Sequence, residues 1–276
     1  MTTILIIGCG AIGQALGDTL TQQGYQVIGL RRQPPTTPSS FKFIAADISS
    51  QAAINQLDLA VDLVFFIVSA DGRTEQSYRD VYQHGLSNAL NKWHDVPWFL
   101  VSSTSVYGQT QGEWVDEDSP TQPLNITSQL IVQAEQQVRA VNPLNVVVRF
   151  SGIYGPGREY LLRMAKQTPD IQQSPPYYTN RIHQQDCVGV LAFLCQQRLA
   201  GCVLDSCYVA SDLDPAPLWD VISWLSAHLA CPPPQAKSID PKAESNKRCS
   251  SRRLQALGYS FLYAGYRDGY LPLINE

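Results

Sequence analysis

The amino-terminal stretch constrains this chain most. Thr3-Ile4-Leu5-Ile6-Ile7 runs straight into Gly8-Cys9-Gly10-Ala11-Ile12-Gly13, and helical spacing of apolar residues follows. An apolar run that ends in Gly-x-Gly-x-x-Gly reads as a buried parallel strand turning into a helix. Each glycine has its own task there. Gly8 permits the tight bend, Gly10 lets the backbone approach a pyrophosphate, and Gly13 lets the helix pack close to the strand. The anion then rests on the free N–H groups at the helix start, those of Ala11, Ile12 and Gly13. A glycine-rich turn with no ligand would show the same letters, but the strand before it and the helix after it favour a dinucleotide turn. The expected fold class is therefore α/β, a doubly wound parallel sheet of the Rossmann type.

The alternation continues from there. Gln26–Leu30 reads as a second strand. At its end an acidic residue would accept a hydrogen bond from the ribose 2′-OH of NAD, but this chain has Arg31-Arg32. A pair of guanidinium groups suits a 2′-phosphate, so NADP is the expected cofactor, with NAD the alternative. The bland reading of the pair is a solvated basic turn. Phe41–Ala45 is a third strand, and Asp47-Ile48 follow at the edge where ligands gather. Asp47 either meets an adenine amino group or caps the next helix, Ser49–Leu57. Val61–Val68 is a central strand, and Ser69-Ala70-Asp71-Gly72 leaves it at the same edge. Glu75–Trp93 is a long amphipathic helix whose tyrosines read as core. Val96–Val101 delivers Ser102-Ser103-Thr104-Ser105-Val106-Tyr107-Gly108, a cluster of hydroxyls at the carboxyl edge. Ser102 is placed beside the cofactor. Glu113–Asp118 reads as a solvated acidic stretch, Ile126–Ala140 as a helix, and Asn145–Phe150 as a sixth strand.

Beyond residue 150 the pattern loosens. A helix at Glu159–Gln167, a polar loop at Thr168–Asn180, a helix at Cys187–Arg198, a strand at Asp205–Ala210 and a helix at Leu218–Leu229 are expected. A linker-like stretch, Cys231–Asn246, precedes a last short helix, Ser250–Leu257. Residues 1–150 thus read as the dinucleotide-binding domain and 151–276 as a small irregular C-terminal substrate lobe, with 181–210 packing back on the first domain.

Composition excludes several classes. Hydrophobic residues make up 44% and charged residues 16%, with a net charge of −4. That balance supports a sizeable core and offers nothing to attract nucleic acid or an anionic membrane. No apolar run reaches the roughly 20 residues of a membrane helix. The first residues lack a basic leader, so a cytoplasmic protein is expected. The seven cysteines are scattered and read as reduced thiols, and no cluster has metal-ligand spacing.

Five segments, in order along the chain, resemble those of the extended short-chain dehydrogenases, the group of nucleotide-sugar epimerases and dehydratases. They are Ala46-Asp47-Ile48, the Ser102–Gly108 segment, Arg149 with Ile153-Tyr154-Gly155-Pro156-Gly157, Ile182-His183-Gln184-Gln185-Asp186, and Leu257-Gly258-Tyr259. The resemblance implies NAD(P) in the glycine turn and a small-molecule substrate under the second lobe. It also implies that Ser103, four residues before Tyr107, holds the family's catalytic Ser/Thr position. Two departures stand out. Ile6 and Ile7 replace the first residues of the family's usual Thr-Gly-x-x-Gly-x-x-Gly. The family's Tyr-x-x-x-Lys dyad, placed by Pro120, Pro123 and Glu135, falls on Thr127 and Ile131. A threonine hydroxyl is a poor base and isoleucine holds no charge, so the chain is most similar to the atypical, dyad-lacking branch.

Tyr107 lies in the right loop to substitute as a catalytic group, with no lysine near it in sequence. His183 either titrates near neutral pH or serves structurally, bonded toward Asp186. The family often pairs through two helices, here Glu75–Trp93 and Ile126–Ala140, whose aromatic and apolar content allows a homodimer without requiring one. Two functions follow as expectations. One is an NADP-dependent oxidoreductase or epimerase acting on a sugar-like metabolite. The other is a non-catalytic NADP-dependent sensor or scaffold.

Overall fold

A computed structural model describes residues 1–237 and 245–275. In chain order the elements are β1 (Thr3–Ile7), α1 (Ala11–Gln22), β2 (Gln26–Arg31), β3 (Lys42–Ala45), α2 (Gln51–Asn55), β4 (Leu63–Phe66) and α3 (Glu75–Arg79). A π-helical turn at Asp80–Gly85 joins α3 to α4 (Leu86–Lys92). Then come β5 (Trp98–Ser103), β6 (Glu113–Val115), α5 (Ile126–Val141), β7 (Val146–Phe150), β8 (Gly152–Tyr154) and α6 (Tyr160–Ala165). The rest is β9 (Asp170–Gln172), β10 (Tyr178–Thr179), β11 (Arg181–His183), α7 (Gln184–Leu199), β12 (Cys207–Ala210), β13 (Ala216–Pro217), α8 (Leu218–His228), β14 (Gln235–Lys237), β15 (Lys247–Cys249), α9 (Arg252–Ala256) and α10 (Tyr266–Asn275).

Seven strands form one sheet in the order β12-β7-β5-β4-β1-β2-β3. β1 pairs in parallel with β2 on one side and β4 on the other, and β4 pairs in parallel with β5. Ile4 to Ile7, Leu63 to Phe66 and Trp98 to Leu100 are wholly buried, which is why these strands read as continuous apolar runs rather than alternating ones. The doubly wound α/β expectation is met. From β1 the chain order runs to β2 in one direction and to β4 in the other, so a topological switch point lies at the carboxyl ends of β1 and β4.

By compactness the chain divides into two units. Unit 1 comprises residues 1–106, 123–149 and 188–208; unit 2 comprises 107–122, 150–187 and 209–276. Inside unit 1, a buried ionic cluster joins α5 to the sheet. The Arg149 guanidinium donates to both carboxylate oxygens of Glu135, Nε to Oε1 at 2.9 Å and Nη2 to Oε2 at 2.6 Å. The Ser102 hydroxyl donates to Glu135 Oε1 at 2.5 Å. Unit 2 has its own core, in which Tyr154, Leu162, Ile171, Val221, Ile222, Tyr266 and Tyr270 are buried together.

Several local expectations give way. Glu113–Asp118 is not simply solvated. Its first residues form β6, which pairs in parallel with β15, and Glu117 is buried, accepting the Val209 N–H at 2.7 Å. Thr168–Asn180 contains β9 and β10. The helix after Ser250 is not the last, because α10 follows it. Within the linker-like Cys231–Asn246 stretch, β14 pairs with β9, and residues 238–244 lie outside the described residues. Among the described residues no helix is long and apolar enough to cross a membrane.

Candidate functional site

The glycine turn is built by close packing. Gly8 has φ +95°, a conformation that favours glycine, and its N–H donates to the Leu30 carbonyl at 3.0 Å. A Cβ on Gly8 would lie 2.7 Å from the Ile67 carbonyl carbon, and one on Gly13 would lie 2.6 Å from the Gly8 oxygen. Gly10 differs from both. A Cβ there would meet nothing within 4 Å, so the space in front of this residue is open to a ligand. Gly10 is also the N-cap of α1 and supplies no side-chain cap. The first N–H groups of a helix have no intrahelical acceptor, which makes this start suited to an anion.

In front of the turn lies a cavity of about 710 Å³, all of whose lining residues belong to unit 1. Among them are Gly8, Gly10, Arg31, Arg32, Asp47, Ile48 and Ser69, seven of the residues expected around the cofactor. Ala11, Ile12 and Gly13 sit behind, in the first turn of α1. Ile12 is buried in the core, and Gly13 supports Gly8. Ser102 is not at the cavity; its hydroxyl belongs to the Glu135–Arg149 cluster.

The charged groups at this edge are held in place. Arg31 ends β2, and its Nη1 donates to the Cys9 carbonyl of the glycine turn at 3.1 Å. Arg32 Nη2 pairs with Asp71 Oδ2 at 2.5 Å. Asp47 accepts the Ser49 hydroxyl at 2.8 Å and the Ser49 N–H at 2.9 Å, and these bonds hold its carboxyl below the usual range. It does not cap α2; Ser50 does, accepting the Ala53 N–H at 3.3 Å. Asn88 of α4 donates to the Ile48 carbonyl at 2.9 Å, which ties the Asp47-Ile48 segment to the helix behind it.

Two acidic lining residues were not among those expected. Asp71 sits in the segment that leaves β4, and that position alone could have flagged it. Asp80 lines the cavity with Ser77 and Val81. Their spacing of three and four is the only sequence signal for that helix face.

The expected catalytic residues are placed as follows. Ser103 ends β5 and is half-buried, and its Oγ accepts the Ser105 N–H at 3.1 Å. Tyr107, in unit 2, is buried, and its hydroxyl donates to the Asp116 carbonyl at 2.6 Å. The chain does bring an amine to it: Lys247 Nζ donates to the Tyr107 carbonyl oxygen at 3.1 Å. Burial lowers the pKa of that amine. Nothing in the sequence marks this pair, since 140 residues separate its members. Thr127 donates to the N-cap residue Asn125 at 2.9 Å, and Ile131 is buried in the core.

In unit 2, His183 is buried between Tyr154 and Tyr263, with ring centroids 5.2 and 4.1 Å away. Burial pushes its pKa down, against the opposing charge of Asp186. Its Nδ1 accepts the Gln185 N–H at 3.2 Å, the geometry of a neutral ring. The Asp186 carboxylate serves a different segment, accepting the Tyr259 hydroxyl and the Leu262 and Tyr263 N–H groups at 2.8–3.0 Å. Among the described residues no cluster of three or more His, Cys, Asp or Glu side chains could hold a metal ion.

Residues 4–198 match the profile of the NAD dependent epimerase/dehydratase family. A solved structure from Methylobacillus flagellatus, of NAD-dependent epimerase/dehydratase type, is 34% identical, spans 100% of this chain and 99% of its own, and superposes with a TM-score of 0.85. Protein YeeZ of Escherichia coli is 24% identical over 95% of this chain and 97% of its own. The UDP-glucose 4-epimerase of Thermus thermophilus, solved in complex with NAD, shares the fold at 16% identity, with a TM-score of 0.79 over 99% of this chain and 98% of its own.

Proposed function

The chain belongs to the NAD dependent epimerase/dehydratase family, and from that premise we propose that unit 1 binds NADP in the cavity in front of the glycine turn. One observation carries this reading: Gly8, Gly10, Arg31, Arg32, Asp47 and Ser69 line one cavity at the carboxyl edge of the sheet. The residues fit the group. The open space before Gly10 accommodates a pyrophosphate, whose charge the α1 N-terminus favours. Arg31 and Arg32 stand where the ribose hydroxyls of a dinucleotide lie in this fold, and two guanidinium groups there favour a 2′-phosphate over a bare hydroxyl. When bound, the nicotinamide supplies hydride exchange.

The substrate class is a sugar-like metabolite, and the reaction an oxidation of an alcohol carbon, the reduction of the corresponding carbonyl carbon, or an epimerisation at a carbon bearing a hydroxyl. The resemblance gives Ser103, at the end of β5, the position of the group that meets the reacting oxygen. A cytoplasmic, small-molecule enzyme fits the composition and the fold.

Titration of nicotinamide fluorescence with NADPH and NADH tests the cofactor assignment. NADPH binds more tightly, and Arg31→Ala/Arg32→Ala weakens it by about tenfold or more, as expected for loss of charge-assisted hydrogen bonds, with a much smaller effect on NADH. Tighter NADH binding overturns the NADP assignment, and binding of neither overturns the dinucleotide site. Thr127 and Ile131, which the resemblance puts at the dyad positions, favour a second reading: an NADP-dependent sensor that does not turn over. Oxidation of NADPH by a panel of nucleotide-sugar and sugar ketones, abolished by Ser103→Ala, supports the enzyme. Cofactor binding without turnover, together with a change in affinity for a partner protein, supports the sensor.

A further inference from the structure

The cavity lining carries an opposing charge that the two arginines do not explain. Among the lining residues, the guanidinium groups of Arg31 and Arg32 are accompanied by the carboxylates of Asp47, Asp71 and Asp80. The two cations are also held differently. Arg31 is anchored by a neutral acceptor, the Cys9 carbonyl, so its charge is uncompensated by that contact. Arg32 is tied to a carboxylate, Asp71 Oδ2, at 2.5 Å. Both members of that pair are more than half exposed, at 58% and 69% of their side-chain surface, so the pair is screened by water and easily exchanged for another anion.

A ribose 2′-phosphate is such an anion, with up to two charges and three acceptor oxygens. To reach it, Arg32 must leave Asp71. The freed carboxylate then stands beside a second negative group, and like charges in contact disfavour each other. A dinucleotide with an unmodified 2′-hydroxyl asks for neither change, since it can bind with the Arg32–Asp71 pair intact.

We propose that Asp71 is a specificity-determining residue of the cofactor site: it competes with the 2′-phosphate for Arg32 and so sets the ratio of NADP to NAD binding. The inference rests on the reading that this cavity takes a nicotinamide dinucleotide. It adds a residue whose effect runs against the arginines. Removing an acidic side chain should improve binding of the more charged cofactor and leave the other unchanged.

The test is fluorescence titration of the full chain with NADPH and NADH, in wild type, Asp71→Asn, Arg32→Ala and the double variant. Asp71→Ser serves as a second exposed-loop variant, with thermal unfolding as the check on folding. Asp71→Asn and Asp71→Ser tighten NADPH by about two- to fivefold, the scale of an exposed ion pair, with NADH changed by less than about 1.5-fold. In the Arg32→Ala background the gain from Asp71→Asn shrinks, because no guanidinium is left to compete for and only the like-charge repulsion is relieved. Unchanged or weakened NADPH binding in Asp71→Asn overturns the proposal while leaving the cofactor reading in place. An equal gain with and without Arg32 also overturns it, by showing a general field effect instead of competition. Wild-type chain that binds neither dinucleotide overturns the cofactor reading and this inference together.

Discussion

Gly10 and Gly13 are the same residue type three positions apart, and they fail differently when changed. A Cβ on Gly13 meets the Gly8 backbone oxygen at 2.6 Å, so Gly13→Ala must push α1 away from β1. A loss of about 1–3 kcal/mol in urea unfolding is expected, the range for overpacking. A Cβ on Gly10 meets nothing within 4 Å, and φ is −75°, which alanine adopts without strain. Gly10→Ala therefore costs less than about 1 kcal/mol of stability, yet it fills the space a pyrophosphate needs, and dinucleotide binding falls sharply. Equal losses of stability in the two variants would contradict this division.

Asp212 should couple the stability of the chain to pH. Its carboxyl is almost fully buried, and Oδ2 has no hydrogen-bond partner among the described residues. Burial pushes its pKa from 3.8 up to about 8, against the attraction of Arg181. The folded chain thus keeps a proton that the unfolded chain releases above about pH 4. This group lowers stability as pH rises from about 4 to 8, by at most about 1.4 kcal/mol per pH unit. Asp212→Asn removes the effect, so the variant's unfolding free energy varies less with pH across that window. A slope equal to that of wild type would show that Asp212 is ionised in the folded chain at neutral pH.

Between elements, the Glu135–Arg149 pair is a buried polar connection, with side chains 0% and 2% exposed. Arg149→Met leaves the buried Glu135 carboxylate with only the Ser102 hydroxyl and the Arg139 guanidinium, 3.7 Å away, and a loss approaching the roughly 3–5 kcal/mol of a broken buried pair is expected from the urea midpoint. Glu135→Leu/Arg149→Met should recover much of that loss, because the buried charge that lost its bidentate partner is gone. A double variant no more stable than the single would mean that the pair itself, and not the stranded charge, holds α5 on the sheet. The sequence shows Glu135 at its place on the helix, but not that Arg149 and Ser102 converge on it, since neither apolar spacing nor strand pattern encodes that meeting.

How legible an element was depended on how its stability arises. β1, β4 and β5 are built on apolar runs that are wholly buried, and such runs reveal strands directly. β6 and β15 are three residues each and pair across more than 130 positions, too short for a period to show. α10 contains Pro272, a helix breaker by local rules, and Gly269, a weak helix former. Packing overrides both. Tyr154 lies so close over Gly269 that any Cβ there would collide with its ring, and Tyr266 and Tyr270 are buried in the unit 2 core.

On the scale of the whole molecule, the carboxyl edge of the unit 1 sheet was the most legible part. The glycine turn, the β2 terminus and the segments after β3 and β4 follow from topology once the strands are known, and they do line one cavity. The chemistry beyond the cofactor was far less legible. Tyr107 spends its hydroxyl on a backbone carbonyl, and Lys247 approaches it only through the fold. The cavity's role as a dinucleotide site is tested most directly by a crystal structure of the chain grown with NADP. The pyrophosphate is expected in front of Gly10 at the α1 N-terminus and the 2′-phosphate against Arg31 and Arg32, with Arg32 drawn away from Asp71. Density for the dinucleotide elsewhere, or a 2′-phosphate that contacts neither arginine, would contradict that role.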